Sequence, residues 1–305
     1  MKLLFTIPHY FHPTEGGQYS STRHEADARI QAFSACLAGL HQVFGPEQRM
    51  LDMQRRLATR ANQQTAHEVQ IAVCTDGKHH LLDQLHSPRN FELHQRPTDP
   101  TLLGFECHAL LRDALGRFDY YCYMEDDLLL ADPWFFYKLA WFTRLAGDDS
   151  LLQPNRYEMA SRFVAHKIYI DGDLKPGSYA RFRPKEAPAE IVAETLNVAI
   201  SFPLASNPHA GCYFLNAAQM AHWAAQRCFL DRDASFVGPL ESAATLGILR
   251  TFKIYKPARD QAAFLEIQHY GTEVDAVQVE HFIIDAQFVG RDRQRRLLVS
   301  SNSST

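Results

Sequence analysis

Glu125-Asp126-Asp127 stand directly after Phe118–Met124, a run rich in tyrosine. Crowding like charges at one point raises each carboxyl's pKa unless a cation or strong donors compensate. Hard carboxylate oxygens suit Mg²⁺ or Mn²⁺, which also bind phosphate oxygens and neutralise a diphosphate leaving group. If the strand continues through the acids, Glu125 and Asp127 point to one face and Asp126 to the other. The bland reading is a solvated strand end, with Asp132-Pro133 independently capping and opening a helix from Trp134 onward.

Further reactive side chains are scattered along the chain. Glu241 follows Gly238-Pro239 and precedes Ser242-Ala243-Ala244, the first turn of a helix, where an acid either complements the helix dipole or serves as a base. His269 and His281 each follow a short alternating stretch, and a neutral imidazole can bind Mn²⁺ or a diphosphate. Asp76 lies in a strand-ending Asp-Gly turn, while His9, Tyr10 and Arg23 fall in the first loop. The pair His79-His80 and the aromatics Trp134 and Trp141 carry no metal or cofactor spacing.

These residues need a scaffold, and its elements can be read from punctuation and period. Residues 2 to 8 are an apolar strand ended by Pro8, and Ile30, Phe33, Leu37, Leu40 and Phe44 mark an amphipathic helix stopped by Gly45-Pro46. A more polar helix is expected from Glu47 to Thr65. Strands follow at Val69–Val73 and Phe91–Gln95, then a helix over Leu102–Leu115 and the strand Phe118–Met124. Later come a strand at Cys212–Leu215, helices over Ala217–Cys228 and from Glu241, and strands around Phe252 and Phe264. This order predicts an α/β fold with a mainly parallel central sheet flanked by helices, whose ligands bind outside the carboxyl ends of the strands. Residues 160 to 208 hold no sustained period and read as an irregular lid insertion over the acceptor. Residues 1–290 are expected to form a single catalytic domain, and 291–305 a flexible tail with Arg291, Arg293, Arg295 and Arg296 before serines.

Composition narrows the classes. With 31 Lys+Arg against 35 Asp+Glu, the net charge of −4 gives no footprint for nucleic acid, so any anionic ligand must be held locally. No apolar run is long enough to span a bilayer, and Pro8 cuts short a signal-peptide core. Six cysteines without CxxC spacing fit reduced thiols, and a cytoplasmic location is the resulting expectation. Weak peripheral contact of the basic tail with an anionic membrane surface is a minority reading.

The run FDYYCYMEDDLLL resembles the strand and DxD-type motif of GT-A glycosyltransferases. The order of a Pro-ended first strand, Asp76, His209-Ala-Gly211-Cys-Tyr-Phe, Gly238-Pro-Leu-Glu241 and a late His extends the similarity over residues 2 to 285, with 160–208 unmatched. The resemblance implies a metal-dependent enzyme using Mn²⁺ or Mg²⁺, a nucleoside-diphosphate sugar donor, and a carbohydrate or other hydroxyl acceptor. It assigns Asp127, Glu125 and His269 (or His281) to the metal and Asp76, Glu125 and Asp126 to the nucleotide, on which His9, Tyr10 and Arg23 of the first loop are placed to stack or pair. Gly211 falls to the acceptor side and Glu241 to the general base of an inverting transfer. The motif reads Glu-Asp-Asp, which leaves open which two acids act. The stretch PHYFHPTEGGQ is similar instead to the first loop of GT-B glycosyltransferases, with Gly16-Gly17 approaching a phosphate. The same acids would also serve a metal-dependent nucleotidyltransferase, and the same fold a non-catalytic carbohydrate- or nucleotide-binding protein.

Overall fold

The computed structural model describes residues 1–271 apart from 17–19, 24, 87–89, 160–165, 176, 178 and 184–186. His281, Gly17 and the tail 291–305 lie outside the described residues. In chain order the elements begin with β1 (Lys2–Pro8), α1 (Ala26–Phe44), β2 (Arg49–Asp52), β3 (Leu57–Arg60), β4 (Glu68–Thr75), β5 (Glu92–Gln95) and α2 (Leu103–Asp113). They continue with β6 (Tyr120–Met124), β7 (Leu128–Leu129), α3 (Phe135–Ala146), β8 (Ser150–Leu152), β9 (Asn155–Met159) and β10 (Lys167–Tyr169). Last come β11 (Glu190–Thr195), β12 (Val198–Pro203), β13 (Cys212–Asn216), α4 (Ala217–Ala224), α5 (Pro239–Thr251), β14 (Lys253–Tyr255) and β15 (Glu266–His269).

The central sheet runs β13-β6-β1-β4-β5, parallel except for β13 against β6. Its strands alternate between two apolar layers. Leu3, Phe5 and Ile7 face α1 and α3, where Phe33, Leu37, Phe135 and Phe142 are buried. Leu4, Tyr121, Tyr123 and Tyr213 face α2, α4 and α5, packing with Leu111, Trp223 and Leu249. Both faces are therefore covered, as a parallel sheet requires. The chain leaves β1 toward β4 but returns after α2 to the other side of β1, so the carboxyl ends of β1 and β6 form a topological switch point.

A second sheet, β10-β9-β15-β7, abuts that edge. Its register sets His269 opposite Leu128, immediately after the three acids. The expected alternation of the acids does not hold, because β6 ends at Met124 and Leu128 N–H closes a turn onto the Glu125 carbonyl. Asp126 and Asp127 consequently meet the same partner, Arg29.

Three further expectations are corrected. The stretch 47 to 65 is not helical but contains the β2–β3 hairpin. No face of that hairpin is buried, so no period-2 signal reaches the sequence. The segment 160 to 208 is not wholly irregular, since β11 and β12 pair along six residues through a turn with Leu196 and Asn197 at positive φ. Leucine is an unusual residue for such a turn, which hid it. Helix α3 begins at Phe135 with Trp134 at its cap, and Asp132 accepts a bond from the Trp134 N–H rather than capping the helix itself.

His108 joins α2 to α5, donating its Nε2–H to the Ala243 carbonyl at 2.9 Å amid Tyr123, Phe105 and Trp223. Burial lowers its pKa to about 4, against the pull of that carbonyl. A buried neutral histidine stabilises the fold fully above its unfolded pKa of about 6.5, and that contribution drains away as pH falls toward the folded value. Urea unfolding should show the wild type losing about 3 kcal/mol more than His108→Gln between about pH 7 and about pH 4. Equal losses in the two proteins would remove the assignment.

Candidate functional site

A cavity of about 490 Å³ opens at the switch point. Pro8 and Tyr10 enter it from the end of β1, Glu125, Asp126 and Asp127 from the end of β6, and Arg156 and His269 from β9 and β15. Three helices begin at its wall, contributing Arg29, Gly104 and Glu241. Helix amino ends carry partial positive charge, which favours anionic ligands near them.

Asp126 is turned into the protein. Its Oδ2 lies 2.5 Å from His9 Nδ1, and its Oδ1 meets the Arg29 guanidinium. The Leu81 N–H donates to His9 Nε2 at 3.0 Å, so Nδ1 of the ring carries the proton and donates a hydrogen bond to Asp126. His9 is fully buried against Phe33, and burial lowers its pKa despite the carboxylate, keeping it neutral. His9 thus stands behind the site, and among the lining residues Tyr10 is its neighbour in the cavity wall.

Asp127 divides its oxygens. Its Oδ2 takes a 2.6 Å bond from Arg29 and lies 3.6 Å from His269 Nε2, while its Oδ1 is buried and accepts no hydrogen bond among the described residues. Burial would raise this carboxyl, but His269 and Arg29 outweigh it and hold it well below the usual range. His269 Nδ1 lies 2.7 Å from Glu158, which is 1% exposed. Burial opposes the charged imidazole, yet Asp127 and Glu158 raise its pKa to about 10.

Glu125 is placed by Gly211. Its N–H bonds the Gly211 carbonyl at 3.0 Å, and Gly211 has φ +63°. A Cβ there would fall 2.4 Å from Glu125 Oε2, so the glycine makes room for the carboxylate and lines no part of the cavity. Burial and the Asp127 charge push the Glu125 pKa up to about 7, with Glu241 adding and Arg156 opposing. Arg156 lies 3.9 Å from Glu125 and is itself fixed by Asp171, which also takes a 2.8 Å bond from buried Lys256. Lys256 reaches the His209 carbonyl at 2.7 Å, tying this network to the cavity wall.

Glu241 occupies the third position of α5, after Gly238 and Pro239, and its Oε2 is a second buried oxygen without a partner among the described residues. Asp76 falls elsewhere. Its carboxylate is spent on the N–H groups of Lys78 and His79 and on the His79 ring, and it does not line the cavity. Nor does any described residue of 160–208, where Phe202 is instead fully buried beside Phe142 and Phe264.

The donor set suits a hard divalent cation in kind. Asp127 Oδ1 is without a hydrogen-bond partner among the described residues, and a histidine whose Nδ1 is held by a carboxylate presents Nε2 as metal-ligating imidazoles do. Among the described residues no three His, Cys, Asp or Glu side chains group closely enough to hold an ion alone. Ligand oxygens would complete the shell, and the His269 proton would have to leave. Sequence reasoning missed Arg29, Arg156, Glu158, Asp171 and Lys256. Arg29 had left a trace, since it sits four residues before Phe33 on the apolar stripe of α1.

The fold is α/β, with a cavity at the topological switch point of a mainly parallel sheet. No protein-family model matches the chain, and no curated protein sequence does. Among solved structures it is similar to residues 1–349 of S. aureus TarS, at 12% identity and a TM-score of 0.40 over 94% of this chain and 68% of that one. The same protein in complex with UDP-GlcNAc matches at 12% and 0.40 over 88% and 58%. The bifunctional IspDF from Campylobacter jejuni matches at 8% and 0.34 over 84% and 49%. The chain thus spans less than two thirds of the second and third of these structures. All three scores lie below one half.

Beyond the central sheet the parallel pairings among the described residues are β8 with β14 and β9 with β15, two strands each, so the second multi-stranded Rossmann-like half of a GT-B enzyme is not found among them. Gly16 has open space around it and does not line the cavity.

Removing Arg29 would leave Asp126 and Asp127 buried with half their compensation gone. Breaking one side of a buried ion pair costs about 3–5 kcal/mol. Arg29→Leu should lose stability on that scale in urea unfolding, and adding Asp126→Asn should recover part of it. A loss below about 1 kcal/mol would place the charge balance elsewhere.

Proposed function

We propose that this chain is a GT-A-like glycosyltransferase that moves a sugar from a nucleoside diphosphate to a hydroxyl acceptor. The observation that carries the reading is the pair of unpartnered buried oxygens, Asp127 Oδ1 and Glu241 Oε2, bordering one cavity at the switch point. One belongs to the anionic end of β6 and the other to a helix start, two locations with different chemical uses. Asp127 and His269, with Glu125 beside them, would hold Mn²⁺ or Mg²⁺. A bound ion of this kind neutralises the charge that builds on a departing diphosphate.

The protein's own groups do the remaining work. Tyr10 and Arg23 line the cavity and would contact the nucleotide. Asp126, locked by His9 and Arg29, acts through position rather than ribose contact, and Asp76 serves its turn. Glu241 would take the proton of the acceptor hydroxyl as the acceptor oxygen bonds to the anomeric carbon and the bond from that carbon to the diphosphate breaks. A single displacement of this kind inverts the anomeric centre. The six free cysteines, five of them buried, support a reducing, cytoplasmic setting.

Incubation with Mn²⁺ and a panel of sugar nucleotides and nucleoside triphosphates tests the class. Release of a nucleoside diphosphate with an inverted product is expected, whereas pyrophosphate release from a triphosphate would make the chain a nucleotidyltransferase. Binding without turnover across suitable acceptors would make it a non-catalytic binder. Glu241→Gln retains size and hydrogen-bonding reach but not basicity, so kcat should fall about 10²-fold or more with donor affinity nearly intact. A near wild-type rate, or retained anomeric configuration, would return Glu241 to its helix-start role.

A further inference from the structure

At the end of the fold opposite the cavity, the β2–β3 hairpin projects with both faces open. Helix α1 spans the two ends, since Arg29 near its start lines the cavity while its last residue, Phe44, accepts the His67 N–H just before β4. Met50, Leu51, Met53 and Leu57 on this hairpin are 65%, 67%, 81% and 53% exposed. Interleaved with them are Arg49, Arg55, Arg56 and Arg60, all exposed, and a single acid within the hairpin, Asp52.

This arrangement is costly for a segment with no binding role. A lone two-stranded hairpin is marginal in water, and among the described residues this one pairs with no other strand. The register sets Arg49 directly opposite Arg60, a like-charge cross-strand pair in which Glu47 compensates Arg49 and leaves the Arg60 charge to an external anion. Arg56 holds positive φ at the turn. Among the described residues no ion pair is formed by Arg56 or Arg60, whereas Arg49 has Glu47 and Arg55 has Asp52. The base is nevertheless pinned: Gln48 bonds the Val43 and Gly45 carbonyls, and Asn62 bonds Gln48. The hairpin is therefore held out from the body rather than left loose.

We propose that the β2–β3 hairpin is a docking element for an anionic membrane surface. Two features select this occupant. The charge complementarity is local, four arginines to one acid in a chain of net charge −4, and fits a sheet of phosphate headgroups. The exposed methionine and leucine side chains fit the headgroup–acyl boundary, whereas phosphates of a nucleic acid offer aliphatic groups no partner. Aromatics suited to the same boundary lie close by: Trp134 and Tyr137 are exposed against one another, and the Tyr137 hydroxyl donates to the Gln64 carbonyl beyond β3. Docked this way, the protein would turn its cavity away from the lipid surface.

The test is flotation of the full chain with vesicles of phosphatidylcholine containing about one third phosphatidylglycerol, against vesicles of phosphatidylcholine alone. Each arginine near an anionic surface contributes about fivefold to partitioning. The wild type should float with the anionic vesicles at low salt, release at high salt, and remain unbound with neutral ones. Arg56→Glu/Arg60→Glu should weaken low-salt binding by about tenfold or more, and Leu51→Ser/Met53→Ser should also weaken it by about tenfold or more and lower the salt concentration at which the protein releases, with thermal melting unchanged. A wild type that stays in solution with anionic vesicles would overturn the proposal. So would binding that survives both hairpin variants, which would assign it to another segment, or a wild-type dimer that both variants dissolve, which would make the hairpin a contact between copies of the chain.

Discussion

Glu125, Asp126 and Asp127 leave a strand whose five residues are all buried, so their charges meet little water and must be balanced by other side chains. Every neighbouring element answers that demand. Helix α1 supplies Arg29 to two of the acids, and the loop after β1 supplies His9 to Asp126. The small second sheet supplies His269 and Arg156, each backed by its own acid, Glu158 or Asp171. Lys256, just past β14, completes the outer layer by holding Asp171 and the His209 carbonyl. The second sheet and the starts of α1 and α5 converge here, carrying Arg156 and His269, Arg29, and Glu241.

Balance on one side leaves two oxygens on the other. Asp126 is committed to His9 and Arg29, and Asp127 Oδ2 to Arg29 and His269, while Asp127 Oδ1 and Glu241 Oε2 accept nothing from the described residues. Buried acceptors are seldom left unmade without a use, since each carries a desolvation cost of about 1–3 kcal/mol. Preorganised charges of this kind need little rearrangement when a ligand's charge develops beside them. Gly211 shows how tightly the acids are fitted, because a single methyl group at its position would collide with Glu125.

The sequence was most legible where burial and punctuation coincide. Pro8, Gly45-Pro46 and Gly238-Pro239 mark true boundaries of β1, α1 and α5, and the tyrosine-rich run before the acids is a central strand. Legibility failed where an element buries little, as in β2–β3, or where a turn uses an atypical residue, as at Leu196. At the site, acids adjacent in sequence could be seen, but their compensating cations could not. Arg29, Arg156 and Lys256 lie far from the acids along the chain and are brought in by tertiary contacts that no local period encodes.

The division of labour between two adjacent carboxylates is the claim on which the functional reading stands. Electron paramagnetic resonance of free Mn²⁺, titrated into wild type, Asp126→Asn and Asp127→Asn in the presence of a nucleoside diphosphate, separates them directly. Asp126→Asn should retain Mn²⁺ binding within a few-fold, since its oxygens face inward, whereas Asp127→Asn should weaken it by about tenfold or more. Loss of binding in Asp126→Asn with binding preserved in Asp127→Asn would contradict the assignment of inward and outward roles.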